Sequence, residues 1–209
     1  MNLWLMVVKG GYIMIPIFIC GVLTLTIIIE RFIYLKNSQI DSEKFITDIE
    51  NLIKKRKIRE AIEKCEKHNK PVPNIIKAGL LKLDRTRDEI KEAIEDTANH
   101  QIPELERYLA ILATVAVISP LLGLLGTVTG MIKAFMVIEM KEGLVHPGEL
   151  ARGIWEALIT TVGGLVVAIP SYLSYNYFVS RVNNLILEME KSATRLIDLI
   201  FLLKSEEEY

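Results

Sequence analysis

The stretch Ser119-Pro-Leu-Leu-Gly-Leu-Leu-Gly-Thr-Val-Thr-Gly130 lies inside a long uncharged segment of this 209-residue chain. No charged residue occurs from 108 to 132, and at about 1.5 Å per residue a helix of that length crosses a bilayer. Small residues recur through it in steps of three and four, at Ala113, Ala116, Pro120, Gly123, Thr127, Gly130 and Ala134. Such spacing draws one stripe along a helix where a second backbone can approach closely. We predict a transmembrane helix over residues 108–138 with one face for close helix contact.

Two further uncharged runs predict two more transmembrane helices. Residues 10–29 are uncharged and end at Glu30-Arg31. A signal peptide is the alternative, but the run is longer than a usual signal core and lacks a small-x-small cleavage pattern. The third span is predicted over residues 153–180, where small and polar residues share one arc of the helix. This arc includes Glu156, Thr160, Thr161, Gly164 and Ala168, and Pro170 near its edge is expected to bend the helix.

The remaining segments predict polar helices outside the membrane. Residues 31–107 contain 17 Lys/Arg and 15 Asp/Glu. We expect a helix capped by Asp41 or Ser42, a break at Pro71-Val-Pro73, and a helix from Asp88 that runs through Tyr108 towards the second span. Residues 181–204 predict an amphipathic helix. The predicted class is an all-α membrane protein of three spans with long helical extensions, divided into residues 1–35, 36–107, 108–138, 139–152, 153–180 and 181–209.

Composition and charge exclude several classes of function. A net charge of −1 gives no case for nucleic-acid binding. Cys20 and Cys65 lie in unlike surroundings, which argues against a disulfide, and the three histidines have no metal-ligand spacing. We expect no cofactor, no metal site and no enzyme activity, because no nucleophile–base pair is recognisable. The basic run at 54–57 is interpreted as a solvated helix corner, with binding of anionic lipid as the alternative.

The distribution of basic residues predicts the orientation. Of 25 Lys/Arg, 21 lie in residues 31–107 or from 181 onward. Basic residues favour the cytoplasmic side of a membrane. We therefore expect the N-terminus outside and both polar segments in the cytoplasm.

Glu156 and three threonines are the candidate functional residues. A carboxylate at membrane depth is costly and tends to face a partner or a water-filled cavity. A glutamate at the hydrated outer rim is the alternative. Thr127, Thr160 and Thr161 predict a polar seam shared by two spans, although each hydroxyl could instead bond within its own helix. We expect Lys133 to reach the outer interface and to pair with Glu139.

The quoted stretch, continued to Ile132, resembles the second-span signature of the MotA/TolQ/ExbB proton channel family. The segment Ile154-Trp-Glu-Ala-Leu-Ile-Thr-Thr-Val-Gly-Gly-Leu-Val-Val-Ala-Ile-Pro-Ser-Tyr-Leu-Ser-Tyr-Asn176 resembles the third-span pattern, and Glu30-Arg31 also fits. Three spans with the large polar loop after the first are similar to the ExbB and TolQ branches rather than to MotA. Trp155 departs from the pattern, which has a smaller residue there.

The resemblance implies a subunit of an inner-membrane motor, a ring that is usually a homopentamer. It implies that the ring surrounds two copies of a single-span ExbD- or TolR-like partner and transmits work to a TonB- or TolA-like protein. Membrane lipids are the remaining expected partners. Thr127, Glu156 and Thr161 are the positions that the resemblance places towards the lumen. The expected role is that of ExbB, with TolQ as the near alternative and a passive membrane scaffold as the alternative from another class.

Overall fold

A computed structural model describes residues 11–141 and 146–207, and the regular structure in these ranges is helical throughout. The helices are α1 Met14–Ser38, α2 Ser42–Lys54, α3 Ile58–His68, α4 Pro71–Leu81, α5 Arg87–Glu106, α6 Leu109–Met140 and α7 Pro147–Glu207. Three helical stretches are long and apolar enough to cross a membrane. Their apolar parts lie in α1, α6 and the first half of α7, which confirms the predicted all-α class with three candidate spans.

The first of two compact units contains the membrane helices. It comprises the described residues up to Arg31 together with Tyr108–Phe178. Side chains at the start of α1 form a small apolar cluster, to which the later helices contribute partly buried side chains. The members are Ile13, Met14, Ile17, Leu122 and Val167. Many other apolar side chains of this unit are exposed, including Phe18, Leu25, Leu121, Leu124, Val166 and Leu173. Exposed apolar surface of this extent is expected where helices meet lipid or other helices.

Two residues, Arg107 and Tyr108, separate α5 from α6, and the second of them has left-handed backbone. Tyr108 has φ 64° and ψ −5°, and α6 begins at the next residue. The expectation of a helix passing through Tyr108 is therefore wrong. The buried guanidinium of Arg31 lies 5.5 Å from the centre of the Tyr108 ring and also pairs with Glu30. A cation over an aromatic face is attractive, and here it joins the end of the first span to the start of the second.

The second unit comprises Phe32–Arg107 and the described residues from 179 onward. Two of its helices, α2 and α5, begin with a side-chain cap. The Asp41 side chain accepts the backbone N–H of Lys44 at 3.1 Å, and Thr86 with Glu89 forms a reciprocal capping box before α5. α4 starts at Pro71 rather than beyond Pro73, because a proline in the first turn has a suitable φ and its missing N–H needs no partner there.

The core of the second unit joins the short helices to the end of α7. Its fully buried apolar side chains include Ile46, Ile49, Ile75, Ile76, Ile90 and Leu196. Ion pairs connect the same helices at the surface. Arg195 of α7 lies 2.6 Å from Glu43 and 2.9 Å from Glu50 of α2. The second half of α7 is therefore part of this unit rather than a detached tail.

Candidate functional site

Helices α6 and α7 approach so closely that several contact positions have no room for a side chain. A Cβ added to Gly164 would overlap the carbonyl oxygen of Ser119. One added to Gly130 would lie 2.9 Å from the Cβ of Ala157, and one added to Gly123 would lie 3.0 Å from the Cα of Thr161. We call this contact line the α6–α7 seam; it comprises Ser119, Gly123, Gly126, Gly130 and Ala134 facing Gly153, Ala157, Thr160, Thr161 and Gly164.

The structure places the predicted stripe of α6 partly on this seam. Of its members, Ala116, Gly123, Gly130 and Ala134 are buried, whereas Ala113, Pro120 and Thr127 are half-buried. Gly164 and Ala168 of α7 are also buried. Sequence reasoning missed Ser119 and Gly126, which both contact α7. The signal was available, because the contact face of a helix is wider than one residue and includes positions beside a three-four stripe.

The structure brings two of the candidate threonines together across the seam. The hydroxyl oxygens of Thr127 and Thr161 lie 2.6 Å apart, and each hydroxyl is 3.1 Å from the carbonyl oxygen of Gly123. Thr160 is different, since it is fully buried against Gly126 and donates to the carbonyl of Ala157 at 2.7 Å. Thr127 and Thr161 therefore form the hydroxyl pair, and Thr160 is satisfied mainly within its own helix.

Glu156 lies near the same end of the helix pair as Lys133. The Lys133 ammonium donates to Glu156 Oε1 at 3.2 Å, and the two side chains are 51% and 28% exposed respectively. The expected pairing of Lys133 with Glu139 is wrong. Residues six apart on a helix are separated by about 240° around its axis, so their side chains cannot meet. Glu156 instead reaches Lys133 from the neighbouring helix.

The segment before α1 covers this ion pair. Gly11 has φ +70°, and a Cβ added there would overlap Glu156 Oε1. The Lys133 ammonium lies 5.2 Å from the centre of the Tyr12 ring. Glu156 is thus bounded by an ammonium on one side and by main chain on another. Nothing in the sequence alone indicated that Gly11 and Tyr12 would lie here.

Three other buried hydroxyls, those of Thr24, Ser171 and Ser119, lie away from the threonine pair. Thr24 of α1 and Ser171 of α7 are 2.8 Å apart at their hydroxyl oxygens, and Ser171 also donates to the carbonyl of Val167. Ser119 is fully buried, and its hydroxyl has no hydrogen-bond partner within the described residues. The membrane unit therefore carries polar groups at the contacts of both α1 and α6 with α7.

The side chains at the seam and beside it include hydroxyl groups and one carboxylate, that of Glu156. Carboxylate and hydroxyl groups can accept and donate protons along hydrogen bonds. Within the ranges 11–141 and 146–207, no group of three His, Cys, Asp or Glu side chains is placed to hold a metal ion. Since α7 rises about 1.5 Å per residue, the Glu156 and Thr161 backbones are separated by roughly 7–8 Å along the helix.

Comparison with known proteins identifies the family. A model of the MotA/TolQ/ExbB proton channel family matches residues 67–191, which include the threonine pair and Glu156. The chain is 32% identical over 179 residues to biopolymer transport protein ExbB-like 1 of Synechocystis, covering 82% of this chain and 68% of that protein. It is 31% identical to biopolymer transport protein exbB1 of Vibrio cholerae, covering 75% and 70% respectively. It is 45% identical over 86 residues to the Tol-Pal system protein TolQ of Haemophilus influenzae, covering 41% of this chain and 37% of that protein.

The chain has three helices that are long and apolar enough to cross a membrane, and the family model matches residues 67–191, which are 125 of its 209 residues. The chain is therefore a multi-pass membrane protein that belongs to the MotA/TolQ/ExbB proton channel family.

Proposed function

We propose that the chain is an ExbB-type subunit of a proton-channel motor in the bacterial inner membrane. With a single-span partner of the ExbD kind, the motor uses the proton-motive force to energise TonB-dependent transport across the outer membrane. The N-terminus is periplasmic in this proposal, and residues 36–107 and 181–209 are cytoplasmic. Two relatives, ExbB-like 1 of Synechocystis and exbB1 of Vibrio cholerae, support it, because they align over 82% and 75% of this chain.

The observation that carries the proposal is the 2.6 Å contact between the Thr127 and Thr161 hydroxyls. A hydroxyl in an apolar helix is usually satisfied by the carbonyl one turn earlier, which would leave the two threonines independent. Here they share the Gly123 carbonyl and also contact each other. Glu156 lies on the same helix, less than two turns away. In the proposed motor these groups line the path along which a proton reaches the acidic group of the partner.

The proposed assembly is a homopentameric ring around the helices of two single-span partners. It is supported by the exposed apolar side chains on both helices of the seam, such as Leu121, Leu124 and Val166. In a ring, neighbouring copies, partner helices and lipid would cover these side chains. Native mass spectrometry in mild detergent should give the mass of a pentamer. A stable monomer under those conditions would contradict the ring.

Proton flux tests the assignment of the site. We expect proteoliposomes containing the chain with its single-span partner to acidify under an imposed potential, as measured by entrapped pyranine. Glu156→Gln and Thr127→Val should each lower the flux at least about tenfold, because each removes a group from the proposed path. Thr114→Val is the matched control, since Thr114 is an exposed threonine on the same helix whose hydroxyl bonds the carbonyl of Ala110. Its flux should equal that of the wild type.

The outcomes separate the alternatives. Unchanged flux in Glu156→Gln would remove this carboxylate from the mechanism. Absence of flux from the wild-type chain together with its partner would favour a passive scaffold, in which the small residues serve only to pack helices.

TolQ is the second candidate role, because the chain is 45% identical to a TolQ protein over 86 residues. A TolQ subunit would act in the Tol-Pal system rather than in TonB-dependent transport. Purification of the tagged chain from its native membranes, with mass spectrometry of what accompanies it, decides between them. Recovery of a TonB-like protein supports the ExbB role, whereas recovery of a TolA-like protein supports TolQ.

A further inference from the structure

Glu156 already has a cation of its own in this chain. Lys133 reaches it from the other helix of the seam, with the ammonium nitrogen 3.2 Å from Oε1. The pair is not a loose surface contact, because Gly11 leaves no space for even a methyl group against the same oxygen. The ammonium is also placed 5.2 Å from the Tyr12 ring, where a cation–aromatic attraction helps to hold it.

This arrangement affects which cations can bind the Glu156 carboxylate. A bare carboxylate near an apolar seam attracts any small cation that reaches it. Sodium and potassium ions require several oxygen ligands, and one of them at Oε1 would also stand close to the ammonium. Like charges at that separation repel each other, most strongly on the side of the pair that Gly11 covers. A proton differs, because it bonds to one carboxylate oxygen and cancels the negative charge without needing a coordination shell.

We propose that Lys133 is the built-in counter-cation of Glu156 and makes the end of the α6–α7 seam selective for protons over sodium and potassium. Lys133 is thus a specificity-determining residue that acts through Glu156. When a proton binds Glu156, the carboxylate becomes neutral and the ammonium is released from it; when the proton leaves, the ion pair forms again. The inference rests on the proposed channel function for its meaning, but the cation binding that it describes is measurable without any flux.

Cation binding to the full chain in detergent is the first test. Thermal unfolding is compared in sodium chloride and in choline chloride at equal ionic strength. The wild type should show no sodium-specific rise in Tm. Lys133→Met should show a saturable sodium-specific rise, because the carboxylate is then free to bind the metal ion. The rise should vanish in the double variant Lys133→Met/Glu156→Gln, and Lys133→Arg should behave as the wild type.

A matched control removes a different cation from the same region. Arg152 is exposed and lies one helical turn before Glu156 on α7. Arg152→Met should leave the sodium response at the wild-type level. If Lys133→Met and the smaller change Lys133→Gln both show no sodium-specific rise, the inference is overturned. A rise that persists in the double variant would overturn it as well, since sodium would then bind elsewhere.

Ion flux supplies the second test and separates the inference from the channel function. In proteoliposomes with the single-span partner, radioactive sodium uptake should be at least about tenfold greater for Lys133→Met than for the wild type, while Lys133→Arg stays at the wild-type level. Sodium uptake by Lys133→Met at the wild-type level, measured while proton flux is present, would refute the selectivity. If the wild type conducts no protons, the channel proposal fails, and the unfolding experiment still decides whether Lys133 keeps sodium from Glu156.

Discussion

Replacement of Gly164 by alanine tests whether the close approach of α6 and α7 is essential. The added Cβ would overlap the carbonyl oxygen of Ser119 and lie 3.2 Å from the Cα of Gly123. Both neighbours are backbone atoms, so no side chain can rotate away and one helix must move by several tenths of an ångström. Forced packing of this kind costs about 1–3 kcal/mol, and contact with backbone places the cost near the upper end.

An opposing term reduces the net effect. Alanine is favoured over glycine inside a helix by up to about 1 kcal/mol. The free energy of unfolding of Gly164→Ala should therefore fall by about 2 kcal/mol, because the steric term exceeds the gain in helix propensity. The same displacement would lengthen the Thr127–Thr161 contact, and proton flux should fall together with stability.

Unfolding in mixed detergent micelles, followed by circular dichroism, measures the change. Gly148→Ala is the control, because a Cβ added at Gly148 meets nothing within 4 Å in the first turn of the same helix. That variant should be neutral or slightly more stable than the wild type. If the free energy of unfolding of Gly164→Ala is within about 0.5 kcal/mol of the wild-type value, the two helices can separate at little cost. Close packing at Gly164 would then not be essential.

Two further predictions concern a buried hydroxyl contact, tested by the same unfolding measurement, and a buried thiol, tested by alkylation. Thr24→Val loses the 2.8 Å contact with the buried Ser171 hydroxyl, which keeps its bond to its own helix. The free energy of unfolding should therefore fall by only about 0.6–1 kcal/mol. The exposed Thr26→Val should leave the free energy of unfolding unchanged, and equal losses for both variants would contradict the assignment. In the second unit, burial raises the pKa of the Cys65 thiol to about 12. At pH 8 the thiol of the native protein is therefore protonated, and iodoacetamide should alkylate it slowly until the protein is unfolded. Mass spectrometry of a Cys20→Ser variant measures the rate of this alkylation. Rapid alkylation of the native chain would show that the thiol is not shielded.

Membrane segments were predictable because a single property defines them. An uncharged run of sufficient length identifies a span whatever its neighbours are, and α6 occupies Leu109–Met140 around the run from which the prediction began. The exact ends of helices and the backbone conformation of single residues were harder to predict. A proline such as Pro71 is compatible both with the end of one helix and with the first turn of the next. Packing in the folded protein decides between the two positions. The left-handed conformation at Tyr108 has no sequence signal, since tyrosine rarely adopts it.

The sequence indicated the threonines and Glu156 as candidate site residues, but not Ser119, Gly126, Gly11 or Tyr12, and not all of the pairings. Spacing along one helix placed Thr161 and Glu156 on a common arc, and the structure shows Thr161 against Thr127. Which side chains meet across two helices depends on how each helix is rotated about its own axis relative to the other. The hydrophobic periodicity of each helix does not determine this rotation. The partner of Lys133 therefore could not be assigned, although helical geometry could have excluded Glu139. Gly11 lies within the run 10–29 that predicts the first span, but α1 begins only at Met14, so the position of Gly11 against Glu156 was not foreseen.

The stacking of Arg31 on Tyr108 makes two positions far apart in the chain dependent on each other during evolution. A left-handed residue other than glycine or asparagine carries a conformational cost of about 1 kcal/mol or more. Glycine at 108 would relieve that cost but would remove the ring from a guanidinium that is only 1% exposed. Replacement of Tyr108 alone therefore relieves the backbone cost but loses the cation–aromatic contact. Selection should preserve or replace these two residues together, even though neither belongs to the proposed proton path.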